Sequence, residues 1–431
     1  MKLYNTKDKS DLVSFKEALF KGIGSKGGLY MPVDIPLLQK SFFENIEEKT
    51  FQEICFEISN LFLKDEIPES SLQKIISNSI NFDTPLVHLS DKIKILELFH
   101  GPTLAFKDFG ARFMAELFAH FIQNQDRETT ILVATSGDTG SAVANAFYKK
   151  NGIKVILLYP AGKVSKIQEM QFATLGQNIS ALEISGTFDD CQSLVKKSFG
   201  DKEIARRTNL SSANSINIAR LIPQTFYYFR AYQQLANKSE PFIFCVPSGN
   251  LGNLTAGLIS QKMGLPVQKF ISAVNSNSVF SDYISTGYFK PRPSVSTLSN
   301  AMDVGNPNNF ERITEIFNCS HEEIKNNIES ISISDKETIE VIKKVYDEFD
   351  YLIDPHGAVG FSAMQKFPQL YGHTKILLET AHPAKFGNVI KSAIGKDTDL
   401  PESLKTSLKG KKQTVNLSGN FKELKEFLLQ N

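Results

Sequence analysis

At 431 residues the chain is too long for one ordinary hydrophobic core and implies two or three domains. Its 48 Lys and Arg against 47 Asp and Glu leave a net charge of +1, which gives no field to draw nucleic acid or an anionic membrane surface, and no apolar run approaches the roughly 18 residues of a membrane span. The cysteines Cys55, Cys191, Cys245 and Cys319 are too scattered for a disulfide framework or a metal site and read as buried small hydrophobes, and the polar start Met1–Ser10 has no apolar signal region, so a cytoplasmic location is expected.

The chain opens with a mainly helical unit over about 1–90, in which Ser14–Gly22, Phe51–Phe62 and Leu72–Ile80 carry amphipathic spacing. The glycine-rich stretch Gly22–Gly28 interrupts it; it lacks nucleotide-loop spacing and reads as a turn. Asn81–Pro85 is a linker. Beyond it the pattern changes to strands alternating with helices. Lys94–Phe99 reads as a strand, and Phe106–Gln123 as a helix with apolar residues at 106, 109, 113, 117 and 121. Strands follow at Thr129–Ala134, Lys154–Tyr159, Asn178–Ile184, Pro241–Pro247 and Lys269–Asn275, with helices at Thr139–Lys149, Lys166–Leu175, Asp189–Phe199, Asn217–Leu235 and Leu254–Met263. Such alternation implies parallel sheets covered on both faces, with ligands at the carboxyl ends of the strands. The last stretch, Leu400–Asn431, is charged and reads as a surface cap.

Chemistry gathers at the strand ends. Lys107 falls at the start of a predicted helix, where the macrodipole disfavours a cation; it is either a solvated loop lysine or an amine held neutral for bonding to an aldehyde cofactor. Thr135-Ser136-Gly137-Asp138-Thr139-Gly140-Ser141 joins a strand to a helix and suits either simple helix capping or an anion. Pro247-Ser248-Gly249-Asn250-Leu251-Gly252-Asn253 repeats that arrangement, with glycines that let backbone N–H groups close on a compact phosphate rather than a dinucleotide. In Leu210–Arg220, uncharged polar residues precede Arg220, which suits a second anion or an internal salt bridge.

These motifs, together with Val13–Leu19, Gly27–Pro32, Leu298–Asp303, Asp354-Pro355-His356 and Thr380–Phe386, run end to end in the order found in the longer bacterial and fungal threonine synthases, which the chain resembles. Those enzymes use pyridoxal 5'-phosphate to convert O-phosphohomoserine and water to threonine and phosphate. The resemblance implies an α/β enzyme of fold type II, like the tryptophan synthase β chain, with two parallel-sheet domains behind the helical N-terminal unit. The catalytic core would cover 91–395, its smaller subdomain about 105–235, and a C-terminal surface segment 396–431. The partner expected is the small-molecule substrate alone, in a monomer or homodimer.

By the same resemblance Lys107 is the Schiff-base lysine, Gly249, Asn250, Leu251, Gly252 and Asn253 cup the cofactor phosphate, and Thr380 bonds the pyridine nitrogen. A neutral hydroxyl at that nitrogen makes the ring a weaker electron sink than a carboxylate would. Thr135, Ser136 and Thr139 take the substrate carboxylate, and Ser215 and Arg220 its phosphate. Lys107 then moves protons at Cα and Cβ before phosphate leaves Cγ and water adds at Cβ. Shorter relatives carry Asn where this chain has Asp138, beside the cofactor's phenolic oxygen. A carboxylate there repels a phenolate, so either a proton is shared or Asp138 turns away. His100 and His356 stand in turns and read as structural. A dehydratase of the same fold would need no second phosphate site.

Overall fold

The computed structural model describes residues 1–123 and 128–430; Asn431, the end of the predicted surface cap, lies outside them. The chain begins not with a helix but with β1 (Lys2–Asn5) and β2 (Asp8–Ser14), which β3 (Tyr30–Pro32) joins in an antiparallel sheet of order β2-β1-β3. The N-terminal unit is mainly helical as expected, with this small antiparallel sheet added at its start. Strand β2 is polar and largely solvent-facing, so it carries no alternating apolar signal. The predicted helices follow as Phe15–Lys21, Phe51–Leu63 and Glu69–Ser79, the first two opened by capping boxes, Ser14 with Glu17 and Thr50 with Glu53. The turn predicted at Gly22–Gly28 is a turn, with a single 3-10 loop over Ser25–Gly27.

Two parallel-rich sheets make the rest. β4 (Leu86–His88) and β5 (Ile93–Glu97) start the larger one, β6 (Thr129–Ala134), β7 (Ile153–Pro160), β8 (Ile179–Ile184) and β9 (Asn209–Ser211) build the smaller, and β10 (Phe242–Pro247), β11 (Lys269–Val274), β12 (Ile328–Ser332) and β13 (Thr374–Glu379) return to the larger. The larger sheet has the order β12-β11-β10-β13-β5-β4, with only β4 antiparallel. Every residue of β6, β10 and β13 is buried, as befits strands covered on both faces.

The C-terminal stretch does more than cap a surface. β14 (Thr414–Leu417) pairs in parallel with β8, giving the smaller sheet the order β14-β8-β7-β6-β9, and helix Phe421–Gln430 buries Leu424 and Leu428 against Leu132, Leu158 and Leu182. Two leucines four residues apart are easily lost among charges. The helix predicted over Asn217–Leu235 is also divided. Pro223 cannot donate to the ladder and its ring crowds the preceding turn, so Ile218–Leu221 is followed by a 3-10 stretch, Ile222–Thr225, before Phe226–Gln233. Of the cysteines three are buried as expected, but Cys319 is exposed, on a left-handed turn after helix Phe310–Ile316.

Candidate active site

A cleft of about 1250 Å³ opens at the carboxyl ends of β5, β6, β10 and β13, and Lys107, Ser136, Thr139, Arg220, Asn250 and Thr380 all line it. The loop after β5 is built to present Lys107. Thr103 donates through its backbone N–H (2.9 Å) and its hydroxyl (2.7 Å) to the buried Asp108 carboxylate, and Gly101 lies so close that a Cβ there would sit 2.5 Å from Asp108 Oδ2. Leu104 turns the chain at φ +59°, a left-handed conformation costing about 1–2 kcal/mol for a residue with a Cβ. Its N–H donates to Gly101 O (3.0 Å) and its carbonyl accepts from His382 N (3.1 Å), which hold it there.

Lys107 then opens helix Lys107–Phe121. Its ammonium lies 5.8 Å from the Phe106 ring and makes no hydrogen bond or ion pair among the described residues. Burial pushes its pKa down to about 8; Asp138 opposes the fall, and Lys385 and Arg220 add to it. The lowered pKa and the place on the cleft wall favour the reactive amine over a solvated loop lysine.

At the end of β6 the Thr135 hydroxyl accepts from the N–H groups of Gly140 (2.7 Å) and Gly137 (3.2 Å), so Thr135 shapes the turn from inside it. The hydroxyls of Ser136 and Thr139 make no hydrogen bond among the described residues, and the N–H groups of Ser136, Asp138 and Thr139 find no acceptor there, at the start of helix Asp138–Phe147. Asp138 is turned inward. Its Oδ1 lies 2.5 Å from Lys385 Nζ and accepts from Gln168 Nε2 (2.8 Å). Burial alone would raise this carboxyl, but Lys385, Lys107 and the hydrogen bonds outweigh it and hold it well below the usual carboxylate range.

The loop after β10 ends in Leu251, left-handed at φ +60°, which opens the 11-residue helix Gly252–Lys262. The N–H groups of Gly249, Asn250, Leu251, Gly252 and Asn253 all lack an acceptor among the described residues. Side chains hold this cradle open. Asn253 donates to Pro247 O (2.8 Å), while Asn250 donates to Ser215 Oγ (2.6 Å) and accepts from Asn308 N (2.6 Å). A Cβ on Gly249 would stand 2.8 Å from Met302 Cα, so the backbone needs glycine to pass.

Arg220 is buried and forms no salt bridge among the described residues, which removes the internal-pair reading. One Nη donates to the Ala213 carbonyl, and Nε has no acceptor. Burial lowers the guanidinium pKa to about 10, with Asp108 opposing. A buried cation with spare donors on a cavity wall is a ready anion partner. On the opposite wall Thr380 follows β13; its carbonyl accepts from Phe106 N (2.9 Å), and its hydroxyl makes no hydrogen bond among the described residues. His100 pairs with Glu97 (2.7 Å) away from the cleft wall. His356 lines the wall, but its Nδ1 lies 2.8 Å from Asp354 and its Nε2 accepts from Ala301 N.

Three contributors were not legible in the sequence. Lys385 and Gln168 hold Asp138, and the fully buried Arg312 donates to the carbonyls of Tyr30 (3.1 Å), Ser215 (3.3 Å) and Ile216 (2.7 Å) and to Asn309 Oδ1 (2.8 Å). Arg312 ties the N-terminal unit to the loop bearing Ser215. Arg312→Leu strands several buried carbonyls at once and is expected to lower unfolding stability by about 2–4 kcal/mol, measurable by denaturant titration. No local pattern marks any of the three, since apart from Asn309, three residues before Arg312, their partners are distant in sequence.

Comparison with known proteins accounts for the whole chain. Family models described as threonine synthase N terminus, pyridoxal-phosphate dependent enzyme, and threonine synthase C-terminal match residues 2–80, 79–378 and 357–428. A threonine synthase of Buchnera aphidicola subsp. Baizongia pistaciae is 43% identical over 433 residues, covering 100% of both chains. The crystal structure of threonine synthase from Escherichia coli superposes with a TM-score of 0.94 at 40% identity, covering 100% of both chains. A PLP-bound threonine synthase from Brucella melitensis superposes at 0.93 with 32% identity, over 100% of this chain and 99% of that one. With full-length identity at this level and the cleft arranged as described, the chain belongs to the threonine synthase family of pyridoxal-phosphate-dependent enzymes.

Proposed function

We propose that the cleft performs the threonine synthase reaction, conversion of O-phosphohomoserine and water to threonine and phosphate, with pyridoxal 5'-phosphate held beside Lys107. One observation carries the reading: Lys107, its amine pKa lowered to about 8, lines one cleft with two sets of anion donors, the free N–H groups of Gly249–Asn253 and the Arg220 guanidinium, whose Nε has no acceptor. One cofactor phosphate and one substrate phosphate match them. A dehydratase would leave Arg220 buried without a counter-charge.

The residues fit the cofactor. The five free N–H groups at the start of Gly252–Lys262 suit its phosphate, Thr380 its ring nitrogen and Lys107 its aldehyde. When bound, the group supplies a sink for negative charge on the substrate carbon next to the amine. Ser136 and Thr139, with the free N–H groups of their turn, orient the substrate carboxylate, while Thr135 keeps that turn in shape. Ser215 and Arg220 hold the phosphate that leaves Cγ. Lys107 Nζ, poised near neutrality, takes the protons at Cα and Cβ and returns one at Cγ.

Thr380→Asp places a carboxylate at the ring nitrogen and is expected to protonate it, altering the absorption spectrum and raising side reactions such as transamination at the expense of threonine. An unchanged spectrum and product ratio means Thr380 does not face the ring. No helix among the described residues is long and apolar enough to cross a membrane. With the near-neutral charge, this supports a cytoplasmic enzyme acting on its small-molecule substrate without nucleic acid, and we propose that it works as a monomer or homodimer. Product analysis after incubation with O-phosphohomoserine tests the proposal: threonine and phosphate are expected, and 2-oxobutanoate or no turnover refutes it.

A further inference from the structure

Lys385 has no role in the reaction described above, yet its position is unusual. It sits on the turn after β13, in the larger sheet's half of the molecule, with its side chain fully buried. Its ammonium reaches Asp138, at the start of helix Asp138–Phe147 in the smaller sheet's half, and also donates to Thr103 O (3.0 Å) in the loop that presents Lys107. Gln168 completes the site from a second helix, Lys166–Ala173; a Cβ on Gly137 would stand only 2.5 Å from its amide nitrogen, which lets the amide close on Asp138.

The charged groups facing Lys107 are Asp138 from the turn after β6, Lys385 from the turn after β13, and Arg220 from helix Ile218–Leu221. Asp108, next to Lys107 in the chain, is engaged by Thr103. If Asp138 lacked its partner, a buried carboxylate would face the Lys107 ammonium alone, and the two would pair. Such a pair would raise the amine's pKa and keep it protonated further above neutrality. With Lys385 at 2.5 Å, the Asp138 charge is already answered.

We infer that Lys385 is a positioning residue: it captures Asp138 in a buried ion pair between the two halves of the molecule, so that the carboxylate does not pair with Lys107. Asp138 and Lys385 act on Lys107 with opposite signs, and removing either one exposes the other. The inference rests on Lys107 being the cofactor-bonding lysine, but its test does not.

Competitive acetic anhydride labelling of the full-length protein stripped of cofactor, followed by peptide mapping, reads the pH at which the Lys107 amine becomes reactive. In the parent the inflection is expected near 8. Lys385→Met is expected to move it up and Asp138→Asn to move it down, each by about one pH unit or more, while the double variant returns it to within about half a unit of the parent. A residue that only supports the fold would move both single variants in the same direction or neither, and that result overturns the inference. Should Lys385→Met fail to fold, Asp138→Asn and the double variant still decide: a downward shift that the second change restores supports the pair, and an unrestored shift refutes it. Failure here with threonine formation intact would remove the Lys385 role and leave the reaction assignment standing.

Discussion

Lys107→Ala is expected to abolish the covalent bond to the cofactor and to reduce threonine formation below detection. The amine both bonds the aldehyde and moves protons at the substrate, and nothing else near it can do either: Lys385 is committed to Asp138 and Thr103, and His356 to Asp354. Losing a positioned acid-base group alone costs about 10²–10⁴-fold in rate, and losing the covalent anchor adds to that. Added methylamine should restore part of the proton transfer, whereas the Asp108 and Thr103 bonds that shape the loop are untouched by the change. Since the amine must be uncharged to attack an aldehyde, cofactor capture by the stripped parent should accelerate with pH and level off above about 8. A rate still climbing about tenfold per pH unit at pH 9.5 would mean that the burial around Lys107 does not depress its pKa.

Arg220→Ala should leave cofactor binding intact and weaken use of O-phosphohomoserine. A charge-assisted contact worth about 1.5–3 kcal/mol implies a ten- to 150-fold loss in affinity, before any cost to the departing phosphate. The loss should be selective. Vinylglycine lacks the phosphate, so its turnover should fall far less, provided inorganic phosphate is present in both reactions. Arg220 also donates to the Ala213 carbonyl, and equal damage to both substrates would show that this structural bond is its whole contribution.

Most of the buried strands up to β11 were the most legible part of the sequence, whereas β13, buried at every residue, was not assigned. Thr129–Ala134 in β6 and Phe242–Pro247 in β10 are short apolar runs bounded by turn residues, and burial on both faces leaves that trace. The strand-end positions of the glycine-rich loop and of Lys107 followed from the same alternation. β1 and β2 were missed because one exposed face and short length erase the signal, and β14 because its neighbours are charged. Helix Asp335–Phe349 did carry a readable start, the capping box of Ser334 and Glu337 ahead of Thr338, Ile342 and Val345 on one face, yet sequence reasoning did not assign it.

Within the site, residue type and spacing pointed to donors but not to how they are occupied. Nothing in Thr135 tells that its hydroxyl is spent on Gly140 while that of Thr139 is not. Leu104 and Leu251 adopt left-handed backbone that leucine does not advertise; at Leu104 the distant His382 N–H holds the carbonyl in place. The choice left open for Asp138, a shared proton or a turned side chain, depended on Lys385, whose approach no local pattern encodes.

Borohydride reduction of the cofactor-loaded protein, followed by tryptic mass mapping, bears most directly on the central claim that Lys107 holds the cofactor in this cleft. A pyridoxyl group on the peptide containing Lys107, and on no other lysine, is the predicted result. Its appearance on Lys385 or any other lysine would contradict the assignment, as would a reduced protein carrying no pyridoxyl group at all.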